Sequence, residues 1–339
     1  MPLNAENAKS AVKTGIIATG SYLPPAVLAN ADLTQFPADS LSMIEKKTGV
    51  RQRHHAGPDQ VTSDLAAEAA VICLQRAGVE ATSVDAIILA TSSPDRIQPA
   101  TATRVQQRLG ATGALAFDLN AVCSGFVYGL QVASSLIQTD ACHRVLLIGA
   151  EIYSRFLNPE DFSTYPYFGD GAGAVLLAGT DPDSKSHGRV VRSVLHADGA
   201  GADVIQIPAG GTMLPIGRMK QPTQAYFRMI GREVYNFAIS KGAEVLRELC
   251  AAAGIKVNDL NLIIPHQANI NIIRELASGL GIDANTFFVN LDRVGNTAAA
   301  SIPIALDEAL AAGRIHPGDL VALVAFGGGL TWGASLIQY

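Results

Sequence analysis

Charge is scarce in this sequence. Asp, Glu, Lys and Arg together make up 16% of its 339 residues, against 48% hydrophobic residues. Soluble chains carry roughly 25% charged residues, so a large share of this surface must be buried. The scarcity argues against a disordered chain, which needs low hydrophobicity and high net charge. Positive charge is the shorter of the two, 25 Lys and Arg against 30 Asp and Glu, for a net charge of -5. An acidic chain without a basic block is not expected to bind nucleic acid. Long apolar runs are missing: the longest, around 320–326, has the length of a strand, and a membrane span needs roughly 20 apolar residues. The opening residues 1–13 mix charged and polar types without the apolar core of an export signal. Cysteine is limited to Cys73, Cys123, Cys142 and Cys250, far apart and without a CxxC pair. That pattern argues against a metal site or a disulfide framework and fits a reducing, cytoplasmic compartment.

What is present is alternation. Runs of Val, Ile, Leu and Ala at 86–91, 145–149, 174–177, 262–265 and 320–326 read as strands buried on both faces. Helix-like stretches lie at 63–77, 103–109, 124–138, 237–253, 269–279 and 302–312, which predicts an α/β fold. An internal repeat sharpens this. Ala77-Gly78-Val79 ends a helix before a strand, and so does Ala253-Gly254-Ile255, a shift of 176 residues (78 to 254). The strands at Val145 and Val321 are related by the same shift (145 to 321). Two halves of similar topology are therefore expected, with active-site groups supplied by both.

Four constellations carry chemistry. Residues 118–126 pass from a strand into a small-residue turn, and an apolar helix starts near Ser124. Cys123 at that helix N-terminus is a candidate nucleophile, because unpaired N–H groups and the helix dipole stabilise a thiolate. A buried structural cysteine is the alternative, and it is the reading adopted for Cys73, Cys142 and Cys250. Pro265-His266-Gln267-Ala268-Asn269 follows a buried strand, the end of an open sheet where sites collect. Gly295-Asn296 opens a small-residue helix, and taken alone Asn296 reads as a helix cap. Phe326-Gly327-Gly328-Gly329 after a strand presents N–H groups to an anion or forms a plain tight turn. Arg51, Arg53, His54 and His55 read as a surface loop, and His196 as a turn or core contact.

Together these segments resemble the 3-oxoacyl-acyl-carrier-protein synthase III family, as do Lys47–Arg51, Phe168–Ala174 and His196–Gly199. The resemblance implies the thiolase fold: duplicated α/β halves, 14–183 and 184–339, in a five-layer αβαβα arrangement, usually as a homodimer. It implies that Cys123 carries an acyl group and that His266 Nε2 and the Asn296 amide hold the enolate of a malonyl thioester. The backbone N–H groups of Cys123 and Gly328 would form the oxyanion hole. No cofactor or metal is implied. The acyl pocket would involve Gln98, from a loop that crosses a dimer interface, with Phe168 and Phe227. The channel for the pantetheine or coenzyme A arm would involve Met43, Lys47, Phe162, Gly231, Ala268 and Asn269.

The family's tryptophan and arginines that clasp the adenine are replaced here by Met43, Lys47 and Phe162, and Lys is no substitute for a stacking Arg. Basic positions used for docking the carrier protein fall on Asn236, Asn271, Ser278 and Gly279. These departures favour a specialised polyketide or secondary-metabolism relative over the housekeeping initiator of fatty-acid synthesis. An inactive partner subunit and a true thiolase are the remaining readings. The intact Cys123, His266 and Asn296 argue against the first, and the lack of a second cysteine at 326–333 argues against the other.

Overall fold

The computed structural model describes residues 13–180 and 188–339. The expected boundary at 183/184 and the opening residues 1–12 lie outside the described residues.

The 176-residue shift reappears as strand register. Strand Ala86–Ala90 pairs parallel with Arg144–Glu151, with Ala86 opposite Val145. Strand Leu262–Pro265 pairs parallel with Leu320–Gly327, with Leu262 opposite Val321. An antiparallel strand follows in each set, Gly171–Thr180 in the first and Thr331–Gln338 in the second. Lys13–Tyr22 and Gly188–Ala197 complete the two sets. They meet at Gly15 and Ile16, joining both into one nine-stranded sheet among the described residues. Leu115–Leu119 forms its outer edge beside Ala86–Ala90.

Helices separate the chain into five layers. Thr62–Ala77 and Thr101–Leu109 cover the outer face of the first strand set. Gly231–Ala253 and Ile270–Leu280 cover the second. Gly125–Gln138 and Ser301–Ala311 lie between and touch strands of both sets. A helix with sheet on both sides must be apolar nearly all round, and the sequences GFVYGLQVASSLI and SIPIALDEALA meet that demand. The one buried carboxylate of the second, Asp307, is matched by Thr19 (2.6 Å), Ser21 (2.6 Å) and Arg76 (2.5 Å). Close approach does the rest. A Cβ on Gly149 would lie 2.5 Å from the Ala299 carbonyl, and one on Gly173 2.7 Å from the Ile304 nitrogen. Glycine there lets helix Ser301–Ala311 and the residues just before it rest directly on the sheet.

One expectation is corrected. Residues 52–55 are not a surface loop. They form strand Gln52–His55, paired with Ala26–Ala29, and Arg53 is wholly buried. Its guanidinium donates to the Leu28 carbonyl (2.9 Å), the Asn30 side chain (2.7 Å) and the Pro166 carbonyl. Burying an arginine is costly unless most of its donors find partners, here both terminal nitrogens, and a sequence window cannot display that.

Candidate active site

Strand Leu115–Leu119 ends in a turn under strain. Val122 has φ +48°, a conformation costing a β-branched residue of order 1–3 kcal/mol. The surroundings enforce it: Val122 N–H donates to Asn120 Oδ1 (3.2 Å), Ser124 Oγ to the Thr331 carbonyl (2.9 Å) and Thr331 Oγ1 to the Ala121 carbonyl (3.1 Å). Cys123 sits in this tight turn, and helix Gly125–Gln138 begins two residues later. The placement at a helix start matches the sequence reading, but the expected lowering of the thiol pKa is overturned. Burial pushes the Cys123 thiol up, and the negative charge of Glu151 pushes the same way. In the free protein desolvation outweighs the helix terminus.

His266 follows strand Leu262–Pro265, its N–H bonded to the Val324 carbonyl at 2.8 Å. The ring is 2% exposed, and its Nδ1 lies 2.7 Å from Ser301 Oγ, the first residue of the central helix. Burial lowers its pKa to about 3, so the imidazole is neutral at any ordinary pH. With Nδ1 accepting the Ser301 hydroxyl, the single ring proton would sit on Nε2 as an uncharged donor. Beside it, Gln267 donates to the Pro265 (2.9 Å) and Phe288 (3.0 Å) carbonyls and fixes the turn.

Asn296 is held by its backbone and by its own amide. Its N–H donates to the Tyr167 carbonyl (2.8 Å), and its carbonyl accepts from Gly169 (2.9 Å). Gly295 has φ +72°, and a Cβ there would press to 3.0 Å on the Tyr167 carbonyl. The side-chain Oδ1 accepts the Ala298 N–H at 2.9 Å. With the oxygen occupied, the amide NH2 is left to donate. This is a local turn bond rather than a helix cap, so the cap reading gives way.

A cavity of about 200 Å³ gathers these groups. Cys123, His266 and Asn296 line it together with the expected Phe168, Phe227, Gly231, Ala268 and Asn269. Asn269 also caps helix Ile270–Leu280 by accepting the Asn271 N–H at 2.8 Å. Other expected residues stand elsewhere. Gly327 is on the wall, where an added Cβ would meet Cys123, and a Cβ on the following Gly328 would meet Ile205 and Val122. Gln98 is exposed, as is the neighbouring Ile97 (78%). Met43 and Lys47 are exposed on helix Ala38–Thr48, and Phe162 packs edge-on against Phe36 at 5.2 Å. Ile205, Met229 and Phe237 line the cavity without having been singled out. The first two belong to a two-residue ribbon, Ile205–Gln206 with Arg228–Met229, too short for periodicity to reveal.

Glu151 is a further buried group near Cys123 that no sequence motif marks. It is fully buried at the end of its strand and accepts from Ser92 N–H (3.1 Å), Ser92 Oγ (2.9 Å), Thr91 Oγ1 (3.3 Å) and Ser93 Oγ. Burial raises its pKa to about 7 despite these bonds. Between pH ~4.5 and ~7 the folded state therefore holds a proton that the unfolded chain releases. Stability from this group is full at low pH and is lost as pH rises through 7. The loss is on the order of 3 kcal/mol. Urea unfolding at pH 5 and pH 8 is expected to show it in the native protein and not in Glu151→Gln; equal pH dependence in both would refute the assignment.

Among the described residues, no His, Cys, Asp and Glu cluster of metal-binding type is present, and no helix is long and apolar enough to cross a membrane.

A duplicated α/β fold with a cysteine, a neutral histidine and a donor asparagine on one cavity defines a thiolase-fold condensing enzyme. Residues 117–199 match the family model of 3-oxoacyl-[acyl-carrier-protein] synthase III, and 250–339 match that family's C-terminal model. The chain is 44% identical to the beta-ketoacyl-[acyl-carrier-protein] synthase III of Erythrobacter litoralis, covering 97% of this chain and 100% of that protein. It superposes on the Pseudomonas aeruginosa 3-oxoacyl-(acyl carrier protein) synthase III with a TM-score of 0.88 at 40% identity, covering 96% of this chain and 98% of the other. The priming beta-ketosynthase of the R1128 polyketide pathway gives the same TM-score at 26% identity, covering 99% of each chain. The chain belongs to the 3-oxoacyl-acyl-carrier-protein synthase III family of acyl-transferring condensing enzymes.

Proposed function

We propose that this enzyme is an initiation condensing enzyme of the fatty-acid type, which loads a short acyl group on Cys123 and joins it to a malonyl thioester on an acyl carrier protein. The observation that carries this reading is the meeting of Cys123, His266 and Asn296 on one cavity, with His266 neutral and Asn296 turned to donate. In the first half-reaction Cys123 Sγ bonds to the acyl carbonyl carbon, the donor's C–S bond breaks, and the thiol proton leaves on the donor sulfur. Splitting the reaction through a covalent acyl-enzyme replaces one hard step by two easier ones. N–H groups of Cys123 and of the 327–328 turn receive the tetrahedral oxyanion. In the second half-reaction the malonyl carboxylate departs as carbon dioxide. The electron pair moves to the thioester oxygen, against His266 Nε2–H and the Asn296 amide. The enolate carbon then attacks the acyl carbonyl and Cys123 leaves as thiolate. Donors fixed before the charge develops need no reorganisation at the moment of reaction.

The replaced clasp positions Met43, Lys47 and Phe162 favoured a specialised polyketide relative at the level of sequence. The identities weigh the other way: 44% to the Erythrobacter enzyme against 26% to the polyketide priming enzyme. A homodimer is part of the reading. The edge strand Leu115–Leu119 leaves Leu115 57% exposed beside the exposed loop of Ile97 and Gln98, and unpaired edges are normally covered. Gln98 would then serve the partner's acyl pocket. The test is product analysis with acetyl-coenzyme A and malonyl-acyl-carrier protein: a 3-oxobutyryl thioester is expected, with carbon dioxide released in step. No condensation with this pair, but condensation of a different acyl group, would return the enzyme to the specialised class.

A further inference from the structure

Behind the two phenylalanines of the cavity wall lies a third ring. Tyr153 is 2% exposed and joins Cys123, Phe168 and Phe227 in one buried cluster. Its ring stacks on Phe168, with centroids 5.1 Å apart and planes 14° from parallel, and it meets Phe227 edge-on at 5.5 Å. Phe168 and Phe227 meet each other at 5.0 Å. Three rings in mutual contact block one another's rotation, because interiors packed to crystal density leave no space to turn into.

The third ring is also fastened. The Tyr153 hydroxyl lies 2.8 Å from Ser92 Oγ, and Ser92 donates to Glu151 through Oγ at 2.9 Å and N–H at 3.1 Å. A buried hydroxyl stripped of its partner costs about 1–3 kcal/mol, so withdrawing the ring from this position is disfavoured. Phe168 and Phe227 form the visible wall beside Cys123, and Tyr153 fills the volume into which they would otherwise swing.

We propose that Tyr153, fastened through Ser92 to Glu151, is a specificity-determining residue that closes the acyl pocket behind Phe168 and Phe227 and restricts Cys123 to short acyl groups. The inference rests on Cys123 being the acyl carrier. Tyr153 takes no part in the chemistry; it sets the depth available to the acyl chain.

The experiment uses the full chain and the variants Tyr153→Phe, Tyr153→Leu, Tyr153→Ala and Ser92→Ala. Each is incubated with acetyl-, butyryl-, hexanoyl- and octanoyl-coenzyme A, and the rate of Cys123 loading is read by intact mass beside a thermal midpoint. The native protein is expected to load acetyl faster than octanoyl by roughly tenfold or more, since even one methylene shifts discrimination by about that much. Tyr153→Phe keeps the ring volume but loses the bond to Ser92, so it should relax the preference only part way. Tyr153→Leu and Tyr153→Ala should bring octanoyl to within a few-fold of acetyl, and Ser92→Ala should relax the preference part way. If Tyr153→Ala does not fold, Tyr153→Leu and Ser92→Ala give the same reading. Octanoyl loading as fast as acetyl in the native protein overturns the proposal. So does a native chain-length profile in folded Tyr153→Leu and Ser92→Ala. A Cys123 that takes no acyl group from any of the four overturns the acyl-carrier reading itself, an outcome distinct from an unchanged profile.

Discussion

Asn296→Asp is expected to lower the condensation rate by ~10²–10³, the cost of removing one preorganised oxyanion donor, while Cys123 still accepts an acyl group. The choice of aspartate follows from the geometry. Asn296 Oδ1 accepts the Ala298 N–H at 2.9 Å, and Ala298 itself is held at φ +46°. Alanine would strip that buried N–H of its acceptor and cost about 1–3 kcal/mol, mixing a folding defect with a catalytic one. Aspartate keeps the acceptor and removes only the NH2 donor. It also sets a negative charge where enolate charge develops, so the loss should sit at the upper end of the range. His266→Ala should lose condensation to a similar degree. Because burial keeps His266 neutral down to pH about 3, its ionisation should leave no inflection in the condensation rate between pH 5 and 9. Measuring acyl loading and condensation separately checks the split. Equal loss of both steps in Asn296→Asp would show that its role is structural.

Gly327→Ala is expected to damage the first half-reaction. The added Cβ would lie 2.9 Å from the Cys123 nitrogen, 3.1 Å from its Cβ and 3.2 Å from the Ser124 nitrogen. These atoms belong to a turn already strained at Val122, so little of the clash can relax away. Overpacking of this kind costs about 1–3 kcal/mol in stability. Displacing the nucleophile by about 1 Å costs about 10²-fold in rate. The thermal midpoint and the Cys123 loading rate measure the two effects. Gly328→Ala is the control: its nearest contacts, Ile205 and Val122 at 3.3–3.4 Å, are side-chain atoms, and its loss should be smaller. Equal losses in both would move the turn's role from Gly327 to the glycine run as a whole.

What was legible in the sequence was local or repeated. The helix start after Cys123, the strand before His266 and the Gly-Asn turn at 296 each lie within a few residues of the group they position. The shift of 176 residues returned as identical pairing, Ala86 with Val145 and Leu262 with Val321. What was not legible depends on contacts made far along the chain. Arg53 looked like a surface residue because its acceptors at Leu28, Asn30 and Pro166 are assembled by folding. Glu151 ends an ordinary strand, and its hydroxyl partners lie at 91–93. Tyr153 follows two residues later, and only the packing of Phe168 and Phe227 onto its ring gives it meaning. The raised Cys123 thiol reflects the same limit: helix position is local, and burial is not.

The most direct measurement is intact-mass and peptide mapping of the enzyme after acetyl-coenzyme A, followed by addition of malonyl-acyl-carrier protein. The mechanism predicts one acetyl group on the Cys123 peptide, discharged by the malonyl partner in the native enzyme and retained in Asn296→Asp. An acetyl group on another residue, or one that the malonyl partner does not discharge, would contradict it.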